Sequence, residues 1–103
     1  MQIRETNQRF NFDKYPNFDR DIDPKQRAWI EVNGEAIEKN VRQLRSKLSK
    51  SCQFMAVVKA DGYGHDSKVV SEYAIKGGAS QLGVATLKEG IKLRSSGVKK
   101  PIL

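Results

Sequence analysis

The alternation of apolar and polar residues becomes regular after Arg27 and predicts a strand followed by a helix. Residues 28–32 form a short, mostly apolar run typical of a strand, and Asn33 after it has a side chain suited to a helix N-cap. Four apolar residues then recur at helical spacing, so we expect them to share one helix face. They are Ile37, Val41, Leu44 and Leu48.

A second unit of the same kind follows along the chain. Residues 54–58 are apolar without interruption, which predicts a strand covered on both faces, as in a parallel sheet. Residues 59–66 are rich in glycine and aspartate and predict a loop. Asp66 or Ser67 can cap the next helix, and the glycines at 77–78 are expected to end it in a left-handed conformation.

A third unit completes the pattern. Residues 82–85 predict a strand, and 101–103 predict the beginning of another. Thr86 and Glu89 have the spacing of a capping box and open a helix that stops at Gly97. Its expected core residues are Leu87, Ile91 and Leu93. Strands and helices that alternate in this way define an α/β fold with a parallel sheet, either doubly wound or part of a barrel.

The length of the chain limits what it can contain. A complete (β/α)8 barrel needs about 250 residues, and this chain has 103. Because it stops inside a predicted strand, which would leave an open sheet edge, we expect a fragment of something longer. Residues 1–26 show no clear period and are expected to form a flexible or loosely docked extension. Residues 27–103 then form the α/β domain.

Composition excludes some classes of protein and leaves others open. Hydrophobic residues make up 38% and charged residues 30%, as in soluble globular proteins. No apolar run approaches the roughly 20 residues of a membrane span, and the N-terminus lacks the apolar region of a signal peptide, so we expect a cytoplasmic protein. The net charge of +7 could attract nucleic acid, but the basic residues are spread along solvated helix faces. Cys52, the one cysteine, allows no internal disulfide or metal site and is expected to be a small core residue.

The candidate chemistry lies directly after the most apolar strand. In parallel α/β folds, active sites gather at the carboxyl ends of the strands, and Lys59 stands there with its amine at the crevice. An amine in that position suits a Schiff-base lysine, although a lysine that merely leaves the core for water remains an alternative. Tyr63, between Gly62 and Gly64, offers a hydroxyl that could donate to a phosphate. His65 could be an acid or base, or structural.

Two acidic residues of the same loop have local roles open to them. Asp61 is expected to accept a hydrogen bond and shape the turn. Asp66 would disfavour a neighbouring phosphate unless it points away and caps the helix.

The residues 56–65, Ala-Val-Val-Lys-Ala-Asp-Gly-Tyr-Gly-His, resemble alanine racemase, a pyridoxal-phosphate enzyme built on an α/β barrel plus a β domain. The similarity runs from about residue 27 to 103 and includes residues 83–90 and 93–97. It implies parallel βα units that form the first part of a TIM-type (β/α)8 barrel, incomplete in this chain. Glycine at position 62, where alanine is common in the family, and Asp66, where glycine is common, depart from its pattern.

The resemblance also implies roles for two residues. Lys59 would hold pyridoxal 5'-phosphate covalently and act as one of two bases at the Cα of alanine, and Tyr63 would bond the cofactor phosphate. The second base, the other cofactor contacts and the partner of a homodimer would lie outside this chain. No metal is implied. Three hypotheses about the function remain. The protein is an alanine racemase, another barrel-type pyridoxal-phosphate protein such as a different racemase or a cofactor carrier, or a basic binding module without activity.

Overall fold

The computed structural model describes residues 2–6 and 28–103. Five strands or strand-like segments and four helices or helical turns alternate in that part of the chain. In chain order the elements are β1 (Gln2–Thr6), β2 (Trp29–Asn33), α1 (Gly34–Ser46), β3 (Met55–Val57), α2 (Lys59–Tyr63), α3 (Ser67–Gly77), β4 (Gln81–Gly83) and α4 (Leu87–Ser95). The last segment, around Ile102, makes a single parallel bridge with Leu82. No helix among these elements is long and apolar enough to cross a membrane.

The first and second predicted strands do not lie in the same sheet. β2 pairs in parallel with β1, a strand that the sequence pattern did not predict, in the register Ile3 to Ile30. β3 pairs in parallel with β4, from Met55 opposite Gln81. The expectation of one sheet through all the strands is therefore wrong for β2. The sequence of β2 differs in the same way, because the charged Glu31 lies at its centre, whereas β3 is apolar throughout. The rest of the N-terminal extension lies outside the described residues.

The parallel pairing of the remaining strands agrees with prediction. The backbone ladder continues from β3 and β4 to the last segment, since Leu82 N–H donates to Pro101 O at 2.9 Å and Leu103 N–H donates to Leu82 O at 2.9 Å. Helices α3 and α4 cover one side of this sheet, and α1 packs against α3. The core on that side holds the fully buried side chains Val58, Leu82 and Leu93.

The helix boundaries follow local signals that the sequence displays. Asn33 Oδ1 accepts the Ala36 N–H at 3.0 Å and caps α1. Asp66 caps the N-terminus of α3, and Gly78, with a φ of 114°, is its C-cap residue. Thr86 and Glu89 form the predicted capping box of α4. All three caps were expected, because each satisfies backbone N–H groups that a helix leaves unpaired at its first turn.

Some side chains that the sequence pattern predicted to be buried are exposed in the structure. Cys52 is exposed, because it belongs to the segment before β3 and does not enter the sheet. Leu87 and Ile91 are 81% and 57% exposed, while Leu93 is buried. At roughly 100° per residue, Leu93 lies about 200° around the helix from Ile91, so the three cannot share a face.

Two further side chains that were predicted to lie in the core are also exposed to solvent. Val57 is 49% exposed, so β3 is covered on one face and open on the other in this chain. Leu44 of α1 is 58% exposed, and Val41 carries the contact of that helix with the core.

Candidate active site

Lys59 lies where the sequence places it, directly after β3 at the carboxyl end of the parallel strands. The last ladder bond before it runs from Val58 N–H to Gly83 O at 2.8 Å. Val58 is 1% exposed, so the chain leaves the core within a single residue. The Lys59 side chain is exposed and its amine is open to solvent and to any ligand at this edge of the sheet.

A left-handed turn follows the lysine. Residues 60–63 all have positive φ, between 51° and 65°, although three of them are not glycine. An L residue in this region costs roughly 1–2 kcal/mol. The turn is closed by Gly62 N–H, which donates to Val58 O at 2.9 Å, and by Gly64 N–H, which donates to Ala60 O at 3.0 Å. Of these four residues, Gly62 alone lacks a Cβ and adopts positive φ without this cost.

The turn brings Lys59 and Tyr63 to the same place. Tyr63 is 58% exposed, and the Lys59 ammonium lies 6.0 Å from the centre of its ring. An amine and a phenolic hydroxyl thus leave one short turn together. This pair is chemically suited to a ligand that carries an aldehyde and a phosphate, since the amine can bond covalently to the first and the hydroxyl can donate to the second.

The other polar residues of the loop support its shape. Asp61 Oδ1 accepts the Ser67 N–H at 3.0 Å, as expected for a turn-forming role. Asp66 Oδ1 accepts the N–H groups of Lys68 at 2.9 Å and Val69 at 3.2 Å, so its charge is directed at the first turn of α3. His65 Nδ1 lies 3.0 Å from Tyr63 O, and the tautomer protonated at Nδ1 donates to that carbonyl.

Glu89 is the site residue whose second role the sequence reasoning missed. Besides closing the capping box, its Oε1 accepts the Ala60 N–H at 2.8 Å, across 29 positions of sequence. Lys92, one helical turn later, places its amine 3.2 Å from Asp61 Oδ1. The sequence signal for a helix-capping glutamate was visible, but nothing in the spacing indicated that the carboxylate also reaches the turn after Lys59.

Both carboxylates have a lowered pKa for the same kind of reason. Hydrogen bonds from backbone N–H groups stabilise the ionised form, from Ser67 to Asp61 and from Ala85 and Ala60 to Glu89. The ammonium of Lys92 lowers the pKa of Asp61 further, and the charge of Lys59 lowers that of Glu89. Partial burial opposes these effects in both residues. Both carboxylates therefore favour the ionised form, and the charge of Glu89 interacts with that of Lys59.

A cavity in the described part of the chain lies away from this site. It has a volume of about 610 Å³ and runs between α3 and the segment after α4, where Ile75, Val98 and Pro101 contribute apolar surface. Neither Lys59 nor Tyr63 lines it. The strand ends are the better candidate active site, because an amine, a hydroxyl and a strained turn occur together there. This combination is typical of chemical sites in parallel α/β folds.

Fold and site together define an α/β protein of parallel βα units with an exposed lysine amine at the strand ends. The family model for the alanine racemase N-terminal domain matches residues 32–103. Among curated proteins, the alanine racemase of Prochlorococcus marinus is 57% identical over 82 residues, which are 80% of this chain and 21% of that protein. Alanine racemase 2 of Bacillus subtilis is 50% identical over 76 residues, 74% of this chain and 19% of that protein.

Solved structures agree with these relatives. Alanine racemase from E. faecalis superposes with a TM-score of 0.66 at 43% identity, covering 67% of this chain and 19% of that one. The enzyme from Bacillus anthracis, solved with bound L-Ala-P, has the same TM-score at 38% identity, covering 67% of this chain and 18% of that one. The chain therefore belongs to the alanine racemase N-terminal domain family, and its parallel βα units are the first part of a TIM-type barrel. It spans about a fifth of the length of the curated relatives it matches.

Proposed function

We propose that the full-length protein that carries this chain is a pyridoxal 5'-phosphate-dependent alanine racemase, which interconverts L- and D-alanine. The observation that carries the proposal is the position of Lys59, exposed at the carboxyl end of β3 and followed at once by the turn that bears Tyr63. Family membership at 57% identity to an alanine racemase supports the same activity.

The residues of this chain supply one half of the chemistry. The Lys59 amine would hold the cofactor covalently, and the Tyr63 hydroxyl would donate to its phosphate. When bound, the cofactor supplies an electron sink that makes the Cα proton of alanine removable. With substrate bound, the Lys59 amine would take or return the proton on one face of Cα. A second base outside this chain acts on the opposite face, so that a proton removed on one side and returned on the other inverts the centre.

The biological setting is part of the same proposal. The family resemblance favours a homodimer in which the second base is a tyrosine from the C-terminal region of the partner subunit. It also favours a cytoplasmic enzyme whose D-alanine enters peptidoglycan. Neither a metal ion nor a nucleic acid is needed for this reaction.

The test is Lys59→Ala in the full-length protein, with Lys88→Ala as the matched control because Lys88 is an exposed lysine of α4. We expect Lys59→Ala to lose racemisation of L-alanine and the visible absorbance of covalently held cofactor, with an unchanged far-ultraviolet circular dichroism spectrum. Lys88→Ala should behave as the wild type. Turnover at the wild-type rate in Lys59→Ala would contradict the assignment.

The wild-type protein separates the alternatives. Racemisation of serine or another amino acid in preference to alanine would indicate a different racemase. Bound cofactor without racemisation of any amino acid would indicate a cofactor carrier. Neither cofactor nor racemisation, together with salt-sensitive binding of nucleic acid, would indicate a basic binding module.

A further inference from the structure

Glu89 joins the ends of two parallel strands through one carboxylate. Its Oε1 accepts the Ala60 N–H at 2.8 Å, just beyond β3. Its Oε2 accepts the N–H groups of Ala85 at 2.8 Å and Thr86 at 3.1 Å, just beyond β4. A capping glutamate ordinarily needs only the bond to its own N-cap residue. The additional bond to Ala60 extends it to the residue that follows Lys59.

The Glu89 carboxylate accepts an N–H that would otherwise make the next hydrogen bond of the β3–β4 ladder. The final backbone bond between the strands runs from Val58 N–H to Gly83 O. In a parallel ladder, the next N–H of the same strand that points to the same neighbouring strand is two residues later, at Ala60. Its acceptor would be Ala85 O. Ala60 has turned into the left-handed region, with a φ of 51°, and donates to Glu89. Glu89 therefore lets the strand end in a sharp turn without leaving the Ala60 N–H unpaired.

This bond fixes one of the two peptide planes that flank Lys59. The plane before the lysine is held by Val58 O, which accepts the Gly62 N–H at 2.9 Å within the turn. The plane after it is held by Ala60 N–H and Glu89, and only this second bond connects the lysine's backbone to α4. The direction in which a side chain leaves the backbone is set by these two planes. A lysine has four further rotatable bonds, so a fixed starting direction restricts where its amine can go.

Packing alone does not fix the turn. A cavity of about 150 Å³ lies between the turn and α4, and Asp61, Glu89 and Lys92 are among its lining residues. The left-handed residues are strained, since each of the L residues costs roughly 1–2 kcal/mol in this conformation. Polar contacts must therefore hold the turn, and the Glu89 bond is the one adjacent to Lys59.

We propose that Glu89 is a positioning residue for Lys59: it holds the Lys59–Ala60 peptide so that the amine reaches the substrate Cα. The proposal rests on the proposed racemase function, and it assigns Glu89 no contact with substrate or cofactor. Misplacement of a reacting group by about 1 Å can cost roughly 100-fold in rate. The loss of Glu89 should therefore lower kcat while substrate affinity changes little.

The test compares three variants of the full-length holoenzyme. Glu89→Ala removes the carboxylate. Glu89→Asp keeps the charge but is one methylene too short to join Ala60 to Ala85. Thr86→Ala is the matched control, because it removes the other half of the capping box, the Thr86 Oγ1 that accepts the Glu89 N–H at 3.2 Å, and leaves the Ala60 bond in place.

Two readouts separate positioning from simple destabilisation. We expect kcat for alanine to fall roughly 10- to 100-fold in Glu89→Ala and Glu89→Asp, with KM within about threefold of the wild type. Thr86→Ala should lower the melting temperature, because it removes the N-cap side chain of α4, but keep kcat within about twofold. In the cofactor-free protein, the Ala60 amide should exchange with deuterium faster in both Glu89 variants and at the wild-type rate in Thr86→Ala.

The outcomes distinguish this inference from the function on which it rests. An active wild type whose Glu89→Ala variant retains full kcat overturns the positioning role alone. So does an equal loss of kcat in Thr86→Ala, or wild-type kcat in Glu89→Asp, which would assign the effect to charge. A wild type without racemase activity overturns the proposed function and this role with it.

Discussion

The carboxylate of Asp61 lies 3.2 Å from the amine of Lys92 and links the turn after Lys59 to helix α4. The same Oδ1 accepts the Ser67 N–H at 3.0 Å, so one oxygen connects the turn to two helices. Asp61 has a φ of 55°, a conformation that aspartate tolerates better than most residues. The turn after Lys59 is therefore held to both helices through the side chain of Asp61.

We expect the hydrogen bond to Ser67 to matter more than the salt bridge to Lys92. Asp61→Ala should lower the free energy of unfolding by roughly 1–2 kcal/mol, because it removes a charged acceptor and leaves a residue less suited to the left-handed region. Asp61→Asn should cost less, since its amide oxygen can still accept the Ser67 N–H. Lys92→Ala should cost at most about 1 kcal/mol, as for other exposed ion pairs. Urea denaturation measures all three, and an equal cost for Lys92→Ala and Asp61→Ala would reverse this order.

Tyr63→Phe should weaken retention of the cofactor more than it slows turnover. A hydrogen bond to a charged group contributes about 1.5–3 kcal/mol, so its loss should raise the dissociation constant for pyridoxal 5'-phosphate by at least roughly tenfold. Equilibrium dialysis of the full-length protein measures that constant. Tyr73→Phe is the control, because Tyr73 is buried beside Gly34 of α1 and not at the strand ends. Unchanged affinity in Tyr63→Phe would remove the phosphate role of this hydroxyl.

Local signals were sufficient to predict much of this structure. The N-caps at Asn33 and Asp66 were visible because the donors they satisfy lie within three residues in sequence. The position of Lys59 followed from an uninterrupted apolar run that ends one residue earlier. Its role as the cofactor lysine came from the family resemblance and stays a prediction, as does that of Tyr63.

What the sequence could not predict depends on contacts between distant residues. Ala60 and Tyr63 have no intrinsic preference for positive φ, and the turn forms where Glu89, 29 positions beyond Ala60, supplies an acceptor. The partner of β2 is likewise a strand at the other end of the N-terminal extension, and apolar periodicity does not reveal which strands pair. Cys52 was misplaced because an apolar neighbourhood in sequence is not the same as burial.

Substitution of alanine for Gly34 and for Gly90, which both lie in helices, should change the free energy of unfolding in opposite directions. A Cβ on Gly34 would lie 2.1 Å from Tyr73 Cε2, so Gly34→Ala must displace a buried ring and should cost roughly 1–3 kcal/mol. A Cβ on Gly90 would meet its nearest neighbours, Ile102 and Val84, at 3.7 Å, an ordinary contact distance. Gly90→Ala should therefore stabilise α4 by about 0.5–1 kcal/mol, because alanine is the better helix former. Thermal unfolding of the two variants checks both signs, and a stabilising Gly34→Ala would show that the ring moves freely.

Stability should fall in acid partly through Glu89. Its pKa is lowered in the folded protein by the N–H donors of Ala85 and Ala60, so the folded state favours the ionised carboxylate. The contribution is complete above the pKa of an unfolded glutamate, about 4.3, and is lost as the pH falls from there through the lower folded value. Glu89→Gln should therefore show a shallower decline of melting temperature between roughly pH 5 and pH 3 than the wild type. Thr86→Ala, which keeps the carboxylate and its three N–H donors, should keep the wild-type slope at a lower melting temperature. Parallel curves for Glu89→Gln and the wild type would mean that the hydrogen bonds at the strand ends do not favour the ionised form.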